Sequence, residues 1–241
     1  MISKIEKIVR IIDRALGHLV IVFFTIILLI SAYAIFDAIC IRNEARVVAG
    51  ASELVNGVAD DSRISELKKT NSEIVAWISL DDTEIDYPIL QSNDNQFYLN
   101  HDYRKDYSIA GSIFADYRSD LLRDDYAVIY GHNMDGKAMF GRVNDYESAD
   151  FFSSHKTGRL YLEDGRVREL AVLAYAHVEN DSQLEYNLTD YANDANDIIL
   201  ERFKQNAINS DFTKKYGRLM MISTCYQHSS QRAVLLVGYN R

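Results

Sequence analysis

The feature that most constrains this chain is a run of 22 residues, 15–36, that contains no Asp, Glu, Lys or Arg. At 1.5 Å per residue, a helix of this length spans about 33 Å, enough to cross the roughly 30 Å hydrocarbon core of a bilayer. His18 lies near one end of the run, where a neutral imidazole can reach the headgroups. We therefore interpret residues 1–14 as a leader and residues 15–36 as a transmembrane anchor.

Charges on either side of the run predict its orientation. Four basic residues precede it and two closely follow it: Lys4, Lys7, Arg10 and Arg14, then Arg42 and Arg46. The positive-inside rule then places the N-terminus in the cytoplasm and residues 47–241 outside the cell. A cleaved signal peptide is the alternative, but its apolar region would be shorter and would end in a small-residue cleavage site. The residues after Phe36 match such a site poorly, which favours an uncleaved anchor.

Composition excludes several classes of protein. Of the 241 residues, 48% are hydrophobic and 25% charged, which is ordinary for a chain with a buried core and excludes disordered and collagen-like chains. The net charge is −9, and residues 47–241 alone carry −11, which argues against a basic nucleic-acid-binding face. Only two cysteines are present, Cys40 and Cys225, which excludes a disulfide scaffold and a four-cysteine zinc site.

The part of the chain beyond the anchor predicts a β-barrel or sandwich with helical additions. Residues 43–76 have the spacing of one or two amphipathic helices, with Ser62 and Asn71 as candidate N-caps. From Trp77 the hydrophobic period changes to two, and seven or eight short strands follow. A turn at 163–165 indicates a hairpin. One helix is inserted at 192–208, with Ile198, Ile199, Leu200 and Phe203 as its buried side. We assign residues 37–76 to a helical linker with N-terminal helices and 77–241 to the barrel.

Three strand ends carry chemically useful side chains. Cys225 ends one predicted strand, Arg232 opens the next, and His132 follows the strand that ends near Gly131. A thiolate is a nucleophile, an imidazole can protonate a leaving amine, and a fixed guanidinium can stabilise an oxyanion. Spacing alone leaves open the alternative of a packed cysteine with surface histidines. Four other histidines compete for the same role: His101, His155, His177 and His228.

The motifs around these residues resemble those of the class B sortases. Residues 222–225 (Ile-Ser-Thr-Cys), with an arginine opening the next strand, are similar to the sortase cysteine motif, whose usual form is Thr-Leu-x-Thr-Cys. Residues 129–134 (Ile-Tyr-Gly-His-Asn-Met) resemble the histidine motif, and the Asn-Met ending is typical of class B. Further matching stretches occur in the same order at 77–78, 85–91, 94–95, 98–99, 111–118, 139–140 and 151–152. The resemblance covers about residues 70–241.

The resemblance implies a fold and an activity. Sortases have a closed β-barrel, and class B members add N-terminal helices and a long helix before the cysteine strand. They are anchored on the outer face of Gram-positive membranes and cleave a C-terminal sorting signal of secreted proteins after its Thr. The acyl group then passes from a cysteine thioester to an amine of cell-wall precursor. Rival interpretations are a pilus-assembling sortase that uses a pilin lysine, a hydrolytic cysteine protease, and a non-enzymatic anchored binding domain.

The resemblance also implies residue roles. Cys225 would be the nucleophile, His132 the acid and base, and Arg232 the clamp for oxyanion and substrate. Ser223, Thr224 and Asn133 are candidate substrate-binding residues, although Ser223 and Thr224 satisfy the strand end equally well. We expect no cofactor and no metal ion. His228, in the short polar loop between Cys225 and Arg232, is expected to be solvent-exposed.

Overall fold

The computed structural model describes residues 2–49, 62–179, 195–226 and 230–240, and the chain divides into two compact units, Met1–Ile41 and Arg42–Arg241. Helix α1 extends over Ile2–Ala49. Within it, Val9–Phe36 is long and apolar enough to cross a membrane, and the described side chains of this stretch are exposed. It is the one helix of this kind in the described parts of the chain. The side chain of Cys40 lies outside the described residues, as do residues 50–61.

The second unit is built on a closed barrel of eight strands, which confirms the predicted fold class. The strands are β1 (Ile74–Leu80), β2 (Asp86–Leu90), β3 (Ile113–Ala115), β4 (Tyr126–Tyr130), β5 (Thr157–Leu162), β6 (Val167–Glu179), β7 (Ala207–Ser210), β8 (Arg218–Cys225) and β9 (Gln231–Tyr239). The strand order around the barrel is β1-β2-β3-β4-β8-β9-β6-β5, and pairing of β5 with β1 closes the ring. Strand β7 is not part of the ring and pairs with residues 174–176 of β6. Two pairs are parallel, β2 with β3 and β4 with β8.

The strands form where the sequence supplies apolar residues suited to burial on both faces. In β8, every residue from Arg218 to Thr224 is buried, because one face points into the barrel and the other is covered by a helix. The interior cluster includes Met220, Ile222 and Leu235, and the outer cluster includes Met221 and Val234. A near-continuous hydrophobic run is the expected pattern for a strand buried on both faces. The predicted hairpin at 163–165 joins β5 and β6, with Gly165 at φ +81°.

Short helices decorate the barrel. The α-helices of the second unit are α2 (Arg63–Leu67), α3 (Ala149–Ser154) and α4 (Ala195–Asn206), and the 3₁₀ helices are Phe97–Leu99, Asp135–Lys137 and Gly141–Glu147. On α2, Ile64 and Leu67 pack against Trp77. On α4, Ile199 and Phe203 cover the outer face of the sheet that contains β8. The barrel thus has an N-terminal helix and an inserted helix, as predicted.

Ser62 is the N-cap residue of α2, as predicted, although its side chain makes no capping hydrogen bond. Other local predictions were wrong. Asn71 caps no helix, because the chain enters β1 at Ile74; its side chain is instead buried in a hydrogen-bonded loop. The inserted helix ends at Asn206, and Ile208 belongs to β7, since pairing with β6 overrides the helical pattern there. Ile198 is 41% exposed rather than buried.

Candidate active site

Cys225 and Arg232 lie side by side on adjacent strands. Cys225 is the last residue of β8, is exposed, and pairs in register with Arg232, the second residue of β9. Residues paired across antiparallel strands point to the same face, with Cβ atoms about 5 Å apart. The ladder therefore places a thiol and a guanidinium together at the end of two strands.

His132 reaches the same level from the strand on the other side of β8. The last paired residues of the parallel strands β4 and β8 are Tyr130 and Ser223, and His132 and Cys225 follow each of them by two positions. The Gly131 amide donates a hydrogen bond to the Ser223 carbonyl (3.2 Å), which continues the ladder between the two strands. Since neighbouring strands lie about 4.8 Å apart, the three candidate catalytic residues share one edge of three adjacent strands.

A backbone carbonyl holds the imidazole of His132. Its Nε2 atom lies 2.7 Å from the carbonyl oxygen of Leu99. Because a carbonyl only accepts hydrogen bonds, Nε2 carries a proton in this arrangement. Glycine is required just before the histidine, since a Cβ at Gly131 would lie 2.3 Å from Ile113 Cδ1 and 2.7 Å from Phe140 Cδ2. The turn that precedes His132 is therefore closely packed.

The loop that supplies this carbonyl is itself anchored. Leu99 ends a 3₁₀ helix whose middle residue, Tyr98, is buried. The Tyr98 hydroxyl donates to Glu73 Oε2 (2.6 Å), and the Asn71 amide donates to the Tyr98 hydroxyl (2.9 Å) and to the Tyr103 carbonyl (3.0 Å). Asn71 therefore supports the position of the carbonyl that holds His132.

Arg232 lies over an aromatic ring. Its Cζ atom is 5.9 Å from the ring centroid of Tyr130, within the range of a cation–π contact. The Tyr130 hydroxyl donates to Asp116 Oδ2 (3.1 Å), and its ring packs beside Phe114 with centroids 5.5 Å apart. The guanidinium of Arg232 thus packs on a tyrosine whose hydroxyl is hydrogen-bonded and whose ring is packed.

Asp116 is a buried carboxylate with several donors. It has no exposed surface, and it accepts two hydrogen bonds from the Arg118 guanidinium, to Oδ1 and Oδ2 (2.9 Å each), and one from the Asn95 amide (2.8 Å). Burial, the largest single influence, raises the pKa of Asp116, but the hydrogen bonds from Arg118 and Asn95 together outweigh it and leave the pKa below its usual value. Asp116 is therefore ionised at neutral pH. It connects Arg118 to Tyr130, and the ring of Tyr130 in turn contacts Arg232.

The three residues predicted to bind substrate lie around this edge. Ser223 and Thr224 precede Cys225 on β8 and are fully buried, and the Thr224 hydroxyl has no hydrogen-bond partner among the described residues. Asn133 follows His132, is half-buried, and forms an isolated bridge with Met139. The role of these residues in binding stays a prediction. Of the three side chains, those of Ser223 and Thr224 on β8 are the least exposed.

Three of the four competing histidines make other contacts in the described structure. His101 and His155 stack on Phe97 and Phe151, with ring centroids 4.1 and 3.8 Å apart. His177 lies on β6 and contacts Tyr226. His228 is outside the described residues. Among the side chains that the structure describes, no three His, Cys, Asp or Glu residues are grouped as metal ligands.

Leu99, Asp116 and Tyr130 lie within the motifs quoted above, but residue type and spacing assign them no role. A backbone carbonyl carries no sequence signal at all. The available signal for Tyr130 was its position two residues before His132 on the same strand, because residues two apart share a face.

Comparison with known proteins places this arrangement in a family. No protein-family model matches the chain. Sortase B of Listeria monocytogenes is 35% identical over 179 residues, which are 73% of this chain and 71% of that protein. The structure of a Staphylococcus aureus sortase B–substrate complex aligns with a TM-score of 0.68 and 25% identity, covering 80% of this chain and 93% of the other. A Streptococcus pyogenes class B sortase involved in pilus biogenesis aligns with a TM-score of 0.66 and 28% identity, over 73% and 96%.

The two solved structures share the overall fold of this chain, and the Listeria protein is similar over most of its own length. The cysteine and histidine motifs lie at one edge of the barrel, where β4 and β8 end and β9 begins. The chain therefore belongs to the class B sortases, a family of cysteine transpeptidases.

Proposed function

We propose that this chain is a membrane-anchored class B sortase that cleaves a C-terminal sorting signal after its Thr and transfers the acyl group to an amine of cell-wall precursor. The observation that carries the proposal is the register of three strands. Cys225 is paired with Arg232, and His132 lies at the same level on the other side. The anchor is formed by residues 15–36, within the apolar stretch Val9–Phe36, with the N-terminus in the cytoplasm and the barrel outside.

The geometry suits a two-step acyl transfer. The Cys225 thiolate attacks the carbonyl carbon of the substrate Thr, and Arg232 stabilises the oxyanion that forms. The C–N bond of the peptide then breaks, and the leaving amine takes a proton from His132. In the second step an acceptor amine attacks the thioester and gives a proton to His132, and the thiolate leaves. Before substrate binds, the Leu99 carbonyl holds the Nε2 proton that the first step requires.

A second candidate function is pilus assembly, because one structural relative is described as involved in pilus biogenesis. The two functions share the first step and differ in the acceptor, which is a cell-wall amine in one case and a pilin lysine in the other. Product analysis with each kind of acceptor decides between them.

The test is product analysis with the full-length chain in detergent micelles. Peptides of the forms Leu-Pro-x-Thr-Gly, Asn-Pro-x-Thr-Asn and Ser-Pro-x-Thr-Gly are each mixed with the enzyme, with and without an oligoglycine amine or a lysine peptide. We expect one peptide to be cleaved after Thr and joined to the oligoglycine amine. Joining to the lysine peptide alone would favour pilus assembly. Hydrolysis that no amine diverts would contradict the transpeptidase proposal.

A further inference from the structure

A second cluster of polar side chains lies directly behind the nucleophile. Tyr226 follows Cys225, and its amide donates to the Gln231 carbonyl (3.0 Å), which extends the β8–β9 ladder by one residue. Because successive side chains on a strand point to opposite faces, Tyr226 leaves on the face opposite Cys225. There its ring packs against the interior core and against His177.

His177 is the centre of this cluster. It lies on β6 opposite Ala233 of β9, and its neighbour Val178 is opposite Arg232. The rings of His177 and Tyr226 have centroids 3.7 Å apart and planes tilted by 37°. His177 Nε2 lies 3.0 Å from the Tyr175 hydroxyl. His177 therefore connects β6, which pairs with the strand of Arg232, to Tyr226, which follows Cys225.

Glu147 closes the cluster from a third element. It ends the 3₁₀ helix Gly141–Glu147, accepts a hydrogen bond from the Tyr226 hydroxyl (3.2 Å) and lies 3.9 Å from His177 Nε2. Its backbone is fixed, since the side-chain amide of Asn209 on β7 donates to the carbonyls of Tyr146 (2.9 Å) and Glu147 (2.8 Å). Glu147, which accepts the hydrogen bond from Tyr226, is therefore fixed by β7 and not by β8.

Burial of His177 favours a neutral ring. Burial, the larger influence, lowers the pKa of His177, and Glu147 raises it by less, so the pKa stays below its ordinary value. The groups that face the ring are Glu147 on the 3₁₀ helix, Tyr175 on its own strand and Tyr226 after β8, while β9 presents the uncharged Ala233. At neutral pH the contact with Tyr226 is thus a packing of two neutral rings.

We propose that Glu147, His177 and Tyr226 form a clamp that fixes the end of β8 and so holds Cys225 opposite Arg232. The three are positioning residues, since none of them lies on the face that carries the thiol. The inference rests on the assignment of Cys225 as the nucleophile. Its physical basis is that Cys225 is the last residue of its strand, where a ladder frays unless the next side chain is held.

The test uses alkylation of Cys225 by iodoacetamide, which needs no knowledge of the sorting signal. The full-length chain carries Cys40→Ala, so that Cys225 is its only thiol, and the rate constant is measured at pH 7 in detergent. Because a neighbouring cation favours the reactive thiolate, release of Cys225 from Arg232 should slow alkylation by about tenfold in Tyr226→Ala and in His177→Ala. Tyr226→Phe keeps the ring and should retain at least about a third of the rate.

A double-mutant cycle separates a clamp from two unrelated defects. If His177 and Tyr226 act as one unit, the double variant should react within about threefold of either single variant, whereas independent effects would multiply to about a hundredfold. His155→Ala is the matched control, because His155 also stacks on an aromatic ring, but on Phe151 rather than on Tyr226. It should leave the rate within about twofold of the parent and combine multiplicatively with Tyr226→Ala.

The outcomes are distinct. Multiplicative combination of His177→Ala with Tyr226→Ala, or single variants that react like the parent, would overturn the clamp. Melting temperatures of all variants are measured alongside, and a slow rate restored by Tyr226→Phe cannot come from global unfolding. The nucleophile is tested separately by turnover of sorting peptides in Cys225→Ala. Turnover retained there would overturn the proposed function while leaving the ring packing itself in place.

Discussion

At the scale of single residues, the site is organised by a chain of contacts that leads from the buried carboxylate of Asp116 to Arg232 at the exposed edge of the barrel. Asp116 is fully buried and ionised, and it holds the hydroxyl of Tyr130, whose ring lies under Arg232. A buried carboxylate is tolerated only when it is paired and hydrogen-bonded. The hydrogen bonds from Arg118 and Asn95 meet that requirement. The chain of contacts therefore both stabilises the fold and orients the guanidinium of Arg232.

Asp116→Asn should therefore destabilise the barrel by about 2 kcal/mol, because an uncharged amide is a poorer acceptor for the hydrogen bonds that Arg118 and Asn95 donate. The pKa of Asp116 is lowered by folding, so its stabilising contribution is complete above the unfolded value of about 4 and is lost as the pH falls through the folded pKa. Denaturant unfolding at pH 7 and at pH 3 measures both effects. The deficit of the variant should be smaller at pH 3 than at pH 7, and an equal deficit at the two values would contradict the assignment.

Gly111 is a second residue on which the site depends. It has φ +58°, and a Cβ there would lie 2.5 Å from the Leu99 carbonyl oxygen and 2.6 Å from that of Tyr98. Gly111→Ala should displace the carbonyl that holds His132 and cost at least about 1 kcal/mol of stability, since both the backbone conformation and the contact are unfavourable. We expect transpeptidation to fall at least about tenfold. Activity and melting temperature measure the two effects.

Gly217→Ala is the control for that substitution. A Cβ at Gly217 has no atom within 4 Å, and its φ is outside the left-handed region. The control should keep full activity and a melting temperature within about two degrees of the parent. Equal behaviour of the two alanine variants would show that the Leu99 carbonyl has no part in positioning His132.

Residue roles were predictable from the sequence only where a motif carried them. The proposed roles of Cys225, His132 and Arg232 follow from residue type, strand-end position and resemblance. The partner of His132 is a backbone oxygen, and Tyr226 meets His177 only because β6 pairs with β9. Such contacts depend on which strands become neighbours, and a single sequence does not specify that.

At the scale of elements, α4 shows how packing selects one face of a helix. Ile198 and Ile199 are adjacent in sequence and identical in chemistry, but Ile198 is 41% exposed and Ile199 is fully buried against β8 and its neighbours. Phe203, one turn further on, completes the buried face. The helix covers the outer face of the strand that ends in Cys225.

This pair of isoleucines offers a matched test. Ile199→Ala should lower the free energy of unfolding by about 2–4 kcal/mol, because it removes a buried side chain and leaves a cavity. Ile198→Ala should change it by less than about 0.5 kcal/mol, since its side chain keeps contact with water. Denaturant midpoints of the two variants measure the difference. Similar losses in both would mean that the helix packs through a different face.

Strand positions were more predictable than element ends. Alternating or continuous apolar runs located β1, β4, β8 and β9 to within a few residues. The ends failed where long-range pairing competed with local pattern, as at Ala207–Ser210, which pairs with β6 instead of continuing α4. The start of β1 at Ile74 likewise follows from pairing with Leu90 of β2.

At the scale of the whole molecule, the chain combines an apolar N-terminal helix with an acidic catalytic unit. Sortases act on substrates that carry sorting signals, so an anchored enzyme would meet them at the membrane. The length of the apolar run, which exceeds the roughly 20 residues that a membrane helix needs, was readable from the sequence. Orientation rests on a difference of four flanking basic residues to two.

Orientation can be measured with a membrane-impermeant maleimide on wall-free cells that express the Cys40→Ala chain. If the barrel lies outside, the reagent should label Cys225 in intact cells, because this thiol is exposed in the folded unit. The Cys40→Ala, Cys225→Ala double variant is the unlabelled control. Labelling that requires prior permeabilisation would place the barrel in the cytoplasm and reverse the predicted topology.

The most direct test of the central claim is to locate the acyl-enzyme. Full-length Cys40→Ala chain is incubated with the sorting peptide that it cleaves, without an amine, and is then quenched in acid for peptide mapping by mass spectrometry. We predict a thioester on Cys225 that carries the peptide up to its Thr, is released by hydroxylamine and is absent when Cys225 is alanine. Cleavage without an adduct at Cys225, or an adduct on any other residue, would contradict the account.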